Sequence, residues 1–150
     1  MGAAMFYHLT RRPMEATLPV LLERSLAQGW RVVVRGTADR LERLDHALWG
    51  PEDSFLPHGL AGGPHDALQP VLLTAGTDMT NEPSCLMSVH GAEVDPDEVK
   101  RLDRVCILFD GHDETALNVA RGQWKALTAA GCSAQYWSEE SGRWEKKQER

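Results

Sequence analysis

The spacing of apolar residues along the chain predicts strands that alternate with helices. Apolar runs at 5–9, 30–34 (WRVVV) and 104–109 (RVCILF) have the length of strands, with shorter runs at 71–74 and 85–89 and an alternating one at 132–137. Apolar residues recur at helical spacing over 14–28, 37–49 and 113–130, and Asp95-Pro96 begins a short helix. This order predicts a single α/β domain with a mainly parallel twisted sheet and helices on both faces.

Two segments depart from this alternation. Residues 51–70 contain four prolines and three glycines, which predicts a long irregular segment of the kind that is often functional. Apart from the strand run at 71–74, no element is assigned over 64–82. From about residue 138 the chain is polar and charged, with Trp144 as its one large apolar residue, so we expect a polar tail that can be mobile.

Composition and charge narrow the function classes. The 150 residues carry a formal charge of -6, which argues against binding nucleic acid over most of the surface. Cys85, Cys106 and Cys132 are odd in number and have no C-x-x-C spacing, so reduced thiols in the cytoplasm are expected. No apolar run approaches the roughly 20 residues of a membrane-spanning helix, so no membrane association is expected.

Motifs for cofactors and metals are not found in the sequence. G-x-G-x-x-G and G-x-x-x-x-G-K-[ST] do not occur, and the glycine-rich segment at 60–64 has no Lys-Ser/Thr after it. His58, His65 and Asp66 form the tightest group of potential metal ligands, but their spacing matches no zinc pattern. The sequence therefore predicts neither a cofactor nor a metal site.

Three polar residues leave an enzyme hypothesis open. Asp110 and His112 follow a buried strand and, together with His58, could form a site near the carboxyl ends of the strands. Such a site would suit a small hydrolase or a nucleotide-dependent enzyme. The alternative is that Asp110 and its neighbours only form a turn and a helix cap.

Arg121, Trp124 and Lys125 form the most informative group. At spacings of three and four residues they share one face of the last predicted helix, with two cations beside an indole. Such a face suits a short acidic peptide, whose carboxylates the cations would bind. The alternative is that Trp124 belongs to the core and the two cations only border it.

A second group of candidates lies in the proline-rich segment. Trp49, Phe55 and Pro57 place two aromatic rings in irregular chain, where exposed rings favour contact with a partner protein. The alternative is that Trp49 folds back onto the core at the end of its helix.

Several motifs, taken in order, resemble the chi subunit of bacterial DNA polymerase III. The most specific part is L-D-x-A-L-W at 44–49 followed by S-F-L-P-H at 54–58. The remaining motifs are Phe6-Tyr7, G-x-R-V at 29–32, A-R-x-x-W-K at 120–125 and Gly131. The resemblance extends over nearly the whole chain.

The resemblance implies a non-catalytic accessory subunit of the clamp-loader complex, with a fold similar to nucleotide-binding proteins but without nucleotide chemistry. In that family the late helix binds the acidic, Phe-ended C-terminal tail of single-stranded DNA-binding protein, and the matching positions here are Arg121, Trp124 and Lys125. The region matching Trp49 and Phe55 contacts the psi subunit and, in some bacteria, a helicase-like protein. The partners it implies are that tail, a psi-like subunit or clamp-loader component, and single-stranded DNA only indirectly.

Overall fold

The architecture was derived from a computed structural model, which describes residues 2–49 and 57–150 except for the side chain of Trp49. The strands in these residues are β1 Ala3–Leu9, β2 Val32–Arg35, β3 Gly59–Leu60, β4 Val71–Thr74, β5 Cys85–Ser88, β6 Arg104–Asp110, β7 Ser133–Ser138 and β8 Glu145–Glu149. The helices are α1 Met14–Ala27, α2 Ala38–Trp49, α3 Pro96–Arg101 and α4 Glu114–Ala129, and Asp66–Leu68 forms a 3₁₀ turn.

The strands form one sheet in the order β3-β4-β2-β5-β6-β1-β7-β8. Every neighbouring pair is parallel except β7 and β8. β1 and β2 run in the same direction, as the first βαβ unit predicts, but β5 and β6 lie between them. The predicted α/β class with a mainly parallel sheet is confirmed.

Helices cover both faces of the sheet, which explains why the central strands are apolar throughout. Side chains of α1 and α2 pack against one face, where Leu18, Leu22 and Leu44 are buried. Side chains of α3 and α4 pack against the other face, where Val99 and Leu127 are buried. Strands β2, β4 and β5 are consequently buried at every position.

The predicted helix ends have the expected local chemistry. Gly29 and Gly131 follow α1 and α4 with φ of +83° and +87°, a conformation that favours glycine. Asp95 and Glu98 form a capping box at the start of α3. Glu98 also accepts two hydrogen bonds from the guanidinium of Arg35, at 2.8 and 2.7 Å, which fixes α3 to the end of β2.

The structure orders the polar segment after residue 138 and the segment that follows β4, and the sequence predicted an element for neither of them. The polar segment after residue 138 contains strand β8, and Trp144 packs edge-on against Tyr7, with ring centroids 5.3 Å apart. In the other segment, the buried amide of Asn81 donates hydrogen bonds to the carbonyl oxygens of Val32 and Gln69. Both segments are held by contacts distant in sequence.

Candidate functional site

Helix α4 positions the three residues of the predicted cationic and aromatic face. Asp113 caps its first turn by accepting hydrogen bonds from the backbone N–H groups of Thr115 and Ala116, at 2.9 and 3.3 Å. Ala120 and Leu127 are buried against the sheet. Their spacing orients the helix so that Arg121 and Lys125 are exposed beside a half-buried Trp124.

Trp124 packs against the core with one part of its ring and lines a surface hollow with another. Its ring lies edge-on to Phe6, with centroids 5.2 Å apart, and to Tyr136, with centroids 6.2 Å apart. Its remaining surface lines an open hollow of about 770 Å³ between α4 and strands β7 and β8. We call this the tryptophan hollow; it is lined by Trp124, Lys125, Thr128, Ala129, Gly131, Cys132, Ser133, Gln148 and Arg150. The indole is therefore packed partly against the core and partly open to this hollow.

The lining of the tryptophan hollow has one sign of charge. Lys125 and Arg150 contribute two cations, and none of its lining residues is acidic. Within residues 2–49 and 57–150, neither cation forms an ion pair. An anion that entered beside Trp124 would find the ammonium group of Lys125 and the guanidinium group of Arg150 as donors.

Arg150 was not among the candidate residues predicted from the sequence. Its position in the tryptophan hollow follows from its pairing with Ala134 of β7. Its backbone N–H donates to the carbonyl oxygen of Ala134 at 2.8 Å, and the N–H of Ala134 donates back at 3.2 Å. Residues paired across neighbouring strands project to the same face, and Ala134 is buried on the α4 face. The side chain of Arg150 therefore lies on the same face as α4, beside Lys125.

Arg121 lies in a neighbouring hollow, separate from Lys125. This second hollow, of about 470 Å³, is called the tyrosine hollow and is lined by His8, Thr10, Arg11, Gly111, His112, Leu117, Arg121, Tyr136 and Glu140. Burial raises the pKa of Tyr136, Glu140 raises it further, and Arg121 lowers it in part. Tyr136 thus lies within the electrostatic reach of both charges, and its ring packs against Trp124 of the tryptophan hollow.

The three residues of the enzyme hypothesis do not come together. Asp110 and His112 line a cleft of about 620 Å³ at the carboxyl ends of β1 and β6. His58 is buried elsewhere, with Nε2 at 3.1 Å from both the carbonyl oxygen and Oδ1 of Asp45. The Asp110 carboxylate accepts from the His112 N–H, as the turn interpretation predicts.

Glu139 occupies the backbone donors at the end of β1. One of its carboxylate oxygens accepts hydrogen bonds from the N–H groups of Thr10, Arg11 and Arg12, at 3.2, 2.9 and 3.0 Å. Burial raises the pKa of Glu139, but these three donors outweigh that effect and lower it overall. The loop that precedes α1 therefore binds a carboxylate of its own chain at the place where many α/β proteins bind a ligand.

The second predicted surface falls largely outside the described residues. Phe55 and the side chain of Trp49 belong to that undescribed part, although Trp49 is the last residue of α2. Pro57 is described and half-buried, directly before His58. The grouping of these three residues stays a prediction.

The described ranges contain neither a candidate metal cluster nor a candidate membrane span. Among residues 2–49 and 57–150, no three His, Cys, Asp or Glu side chains are grouped so that they could hold a metal ion. No helix in the same residues has the length and apolar character needed to cross a membrane.

Comparisons with known proteins identify the family. A search of curated proteins found no match. The family model of the DNA polymerase III chi subunit, HolC, matches residues 1–135. The matched segment includes all of α4 and ends within β7, so β8 and Arg150 lie beyond it. With nine-tenths of its length matched, the chain belongs to the DNA polymerase III chi subunit family, whose members are accessory subunits of the replicase.

Proposed function

We propose that this chain is a non-catalytic subunit that binds the acidic C-terminal tail of single-stranded DNA-binding protein and links it to the replicase through the clamp loader. The observation that carries the proposal is the tryptophan hollow, where an indole and two cations line one surface without an acidic residue. A tail that combines carboxylates with a terminal aromatic ring needs this combination of charge and apolar surface.

Each candidate residue has a separate role in this proposal. The exposed part of Trp124 packs against the terminal aromatic ring of the tail. Lys125 and Arg150 bind carboxylates in the tryptophan hollow, and Arg121 binds a further carboxylate one helical turn away. Because the cations are exposed, water and salt compete with the peptide, so binding weakens as ionic strength rises.

The adaptor proposal also accounts for an acidic protein in replication. A chain with a formal charge of -6 is poorly suited to bind phosphates over its surface. Its association with single-stranded DNA would be indirect, through the partner that coats the strand. Trp49, Phe55 and Pro57 remain the proposed contact surface for a psi-like subunit or another clamp-loader component.

The test is calorimetric titration of the chain with a peptide that matches the tail of single-stranded DNA-binding protein from the same organism. We expect saturable one-to-one binding. The affinity should fall when the salt concentration is raised roughly fourfold, from about 50 to about 200 mM, because salt screens a charge-dependent contact. Arg121→Ala should lose about 1.5–3 kcal/mol of binding free energy, as expected for a charge-assisted hydrogen bond, without unfolding the chain.

Arg143→Ala is the matched control, because it removes the same charge from a side chain that is 85% exposed and lines neither hollow. We expect this variant to bind the peptide within twofold of the unmodified chain. Equal losses in both variants would show a response to net charge alone. Absence of binding at both salt concentrations would refute the proposal.

A further inference from the structure

The tyrosine hollow adjoins the tryptophan hollow and carries its own excess of positive charge. Arg11 and Arg121 face one carboxylate, that of Glu140. The Arg11 guanidinium donates two hydrogen bonds to the backbone carbonyl oxygen of Glu140, at 3.2 and 2.7 Å, and not to its carboxylate. The Arg121 guanidinium donates a hydrogen bond to the amide oxygen of Asn118, at 3.5 Å. The described residues therefore leave both guanidinium charges without a bonded carboxylate.

Glu140 lies at the rim of the tyrosine hollow. Its side chain is 63% exposed, and Oε1 lies 4.0 Å from Nδ1 of His8. One exposed carboxylate against two guanidinium groups leaves a net positive lining. An incoming carboxylate can therefore bind Arg11 or Arg121 while the Glu140 side chain remains in solvent.

The two hollows are close enough for one short peptide to occupy both. Tyr136 lines the tyrosine hollow, and its ring contacts Trp124, which lines the tryptophan hollow. Arg121 and Lys125 are one turn of α4 apart, a rise of about 6 Å, which equals about two residues of extended chain. Arg11 lies farther along, on the loop that follows β1.

We infer that the tyrosine hollow binds carboxylates of the same acidic tail that lie several residues before its terminal aromatic residue. This inference rests on the proposed function. The terminal residues occupy the tryptophan hollow, because that hollow has the exposed indole and no acidic lining. The preceding acidic residues pass over Tyr136 and reach Arg121 and then Arg11. Arg11 is thus a specificity-determining residue for the length and acidity of the tail.

The backbone around Arg11 holds its guanidinium in place. Its own N–H donates to the buried carboxylate of Glu139, and its side chain donates to the next carbonyl, that of Glu140. The turn between β7 and β8 therefore positions this cation. A positioned cation loses less side-chain entropy on binding than a free one.

Three peptides and two variants test the inference. The peptides are the terminal four residues of the tail, a ten-residue tail, and the ten-residue tail with each upstream Asp or Glu replaced by Asn or Gln, called the Asn-substituted peptide below. We expect the ten-residue tail to bind the unmodified chain about tenfold more tightly than the four-residue one. The Asn-substituted peptide should lose most of that gain.

Arg11→Ala should remove the additional affinity of the ten-residue tail. Its affinity for the four-residue peptide should stay within twofold of that of the unmodified chain. Arg12→Ala is the matched control, because Arg12 is the adjacent residue of the same loop but lines the cleft at the carboxyl ends of β1 and β6 and not the tyrosine hollow. We expect Arg12→Ala to retain the full gain. Thermal melting of both variants shows whether the loop is intact, and the Asn-substituted peptide tests the inference on the unmodified chain if Arg11→Ala does not fold.

The outcomes separate this inference from the proposed function. If the four-residue peptide binds but the longer peptide gains nothing, the tail-binding proposal stands and the upstream contact is refuted. Equal losses for Arg11→Ala and Arg12→Ala would also refute it. If none of the three peptides binds the unmodified chain, both proposals fail together.

Discussion

The carboxylate of Glu139 should be a major link between the last two strands and the start of α1. It is 3% exposed and accepts three backbone hydrogen bonds from Thr10, Arg11 and Arg12. Glu139→Gln preserves the shape of the side chain and one oxygen acceptor but removes the charge. Each of the three bonds then changes from charge-assisted to neutral, a loss of about 0.5–1 kcal/mol per bond and about 2 kcal/mol in total.

Urea denaturation at pH 7 measures this loss. With a slope of about 2 kcal/mol per molar urea, the unfolding midpoint of Glu139→Gln should fall by about 1 M. Glu140→Gln is the control, because the side chain of this neighbouring residue is 63% exposed and, among the described residues, its carboxylate accepts no such set of backbone hydrogen bonds. We expect the midpoint of the control to change by less than about 0.3 M.

The pH dependence gives a second check on the same residue. The folded-state pKa of Glu139 is lowered from the ordinary value of 4.5, so the stabilisation is fully present above that value. It is lost as pH falls through the folded-state pKa, because protonation removes the charge in the folded chain. The difference in the free energy of unfolding between Glu139→Gln and the unmodified chain should therefore shrink below pH 4.5. A difference that is absent at pH 7, or that stays constant on acidification, would refute the reasoning.

Three other variants probe contacts described above. Arg35→Met should lower the free energy of unfolding, measured by urea denaturation, by about 3 kcal/mol, because it leaves the carboxylate of Glu98, 12% exposed, without the guanidinium that lowers its pKa. The destabilisation should diminish in acid, where Glu98 becomes protonated. Trp144→Ala should destabilise the chain by about 2 kcal/mol in thermal melts, since it removes the ring against Tyr7. Trp124→Phe should keep the fold but weaken binding of the tail peptide, whereas Trp124→Ala should also lower the melting temperature. If Trp144→Ala melts at the same temperature as the unmodified chain, the contact between Trp144 and Tyr7 does not stabilise the fold as argued.

The sequence predicts most of the sheet and the late helix because their signals are local. Buried parallel strands are apolar at every position, as in Val32–Arg35, and α4 has a capping Asp113 and a following Gly131. Strand β8 has no such signal. Its sequence EKKQE is polar, and it is held by pairing with β7 at the edge of the sheet. Pairing across an edge depends on tertiary contact and leaves no periodic pattern in the chain.

The same distinction applies to the candidate site. Helical spacing was sufficient to place Arg121, Trp124 and Lys125 on one face of α4. It could not show that Arg121 and Lys125 line different hollows, because the other residues that line them, such as Tyr136 of β7, come from distant parts of the chain. It also could not find Arg150, whose position depends on the register of β8. Residues contributed by a single helix were predictable, and residues contributed by the register of two strands were not.

The two edges of the sheet restrict how any partner can dock. At one edge, in the described part of the chain, β3 has only two residues and offers a peptide little to pair with. At the other edge, β8 presents charged side chains of both signs, among them Lys146, Lys147 and Glu149. Short and charged edge strands disfavour the addition of a further strand from another molecule. Recognition by this fold therefore depends on side chains projecting from its surface, and a tail that binds it need not adopt an extended strand pairing.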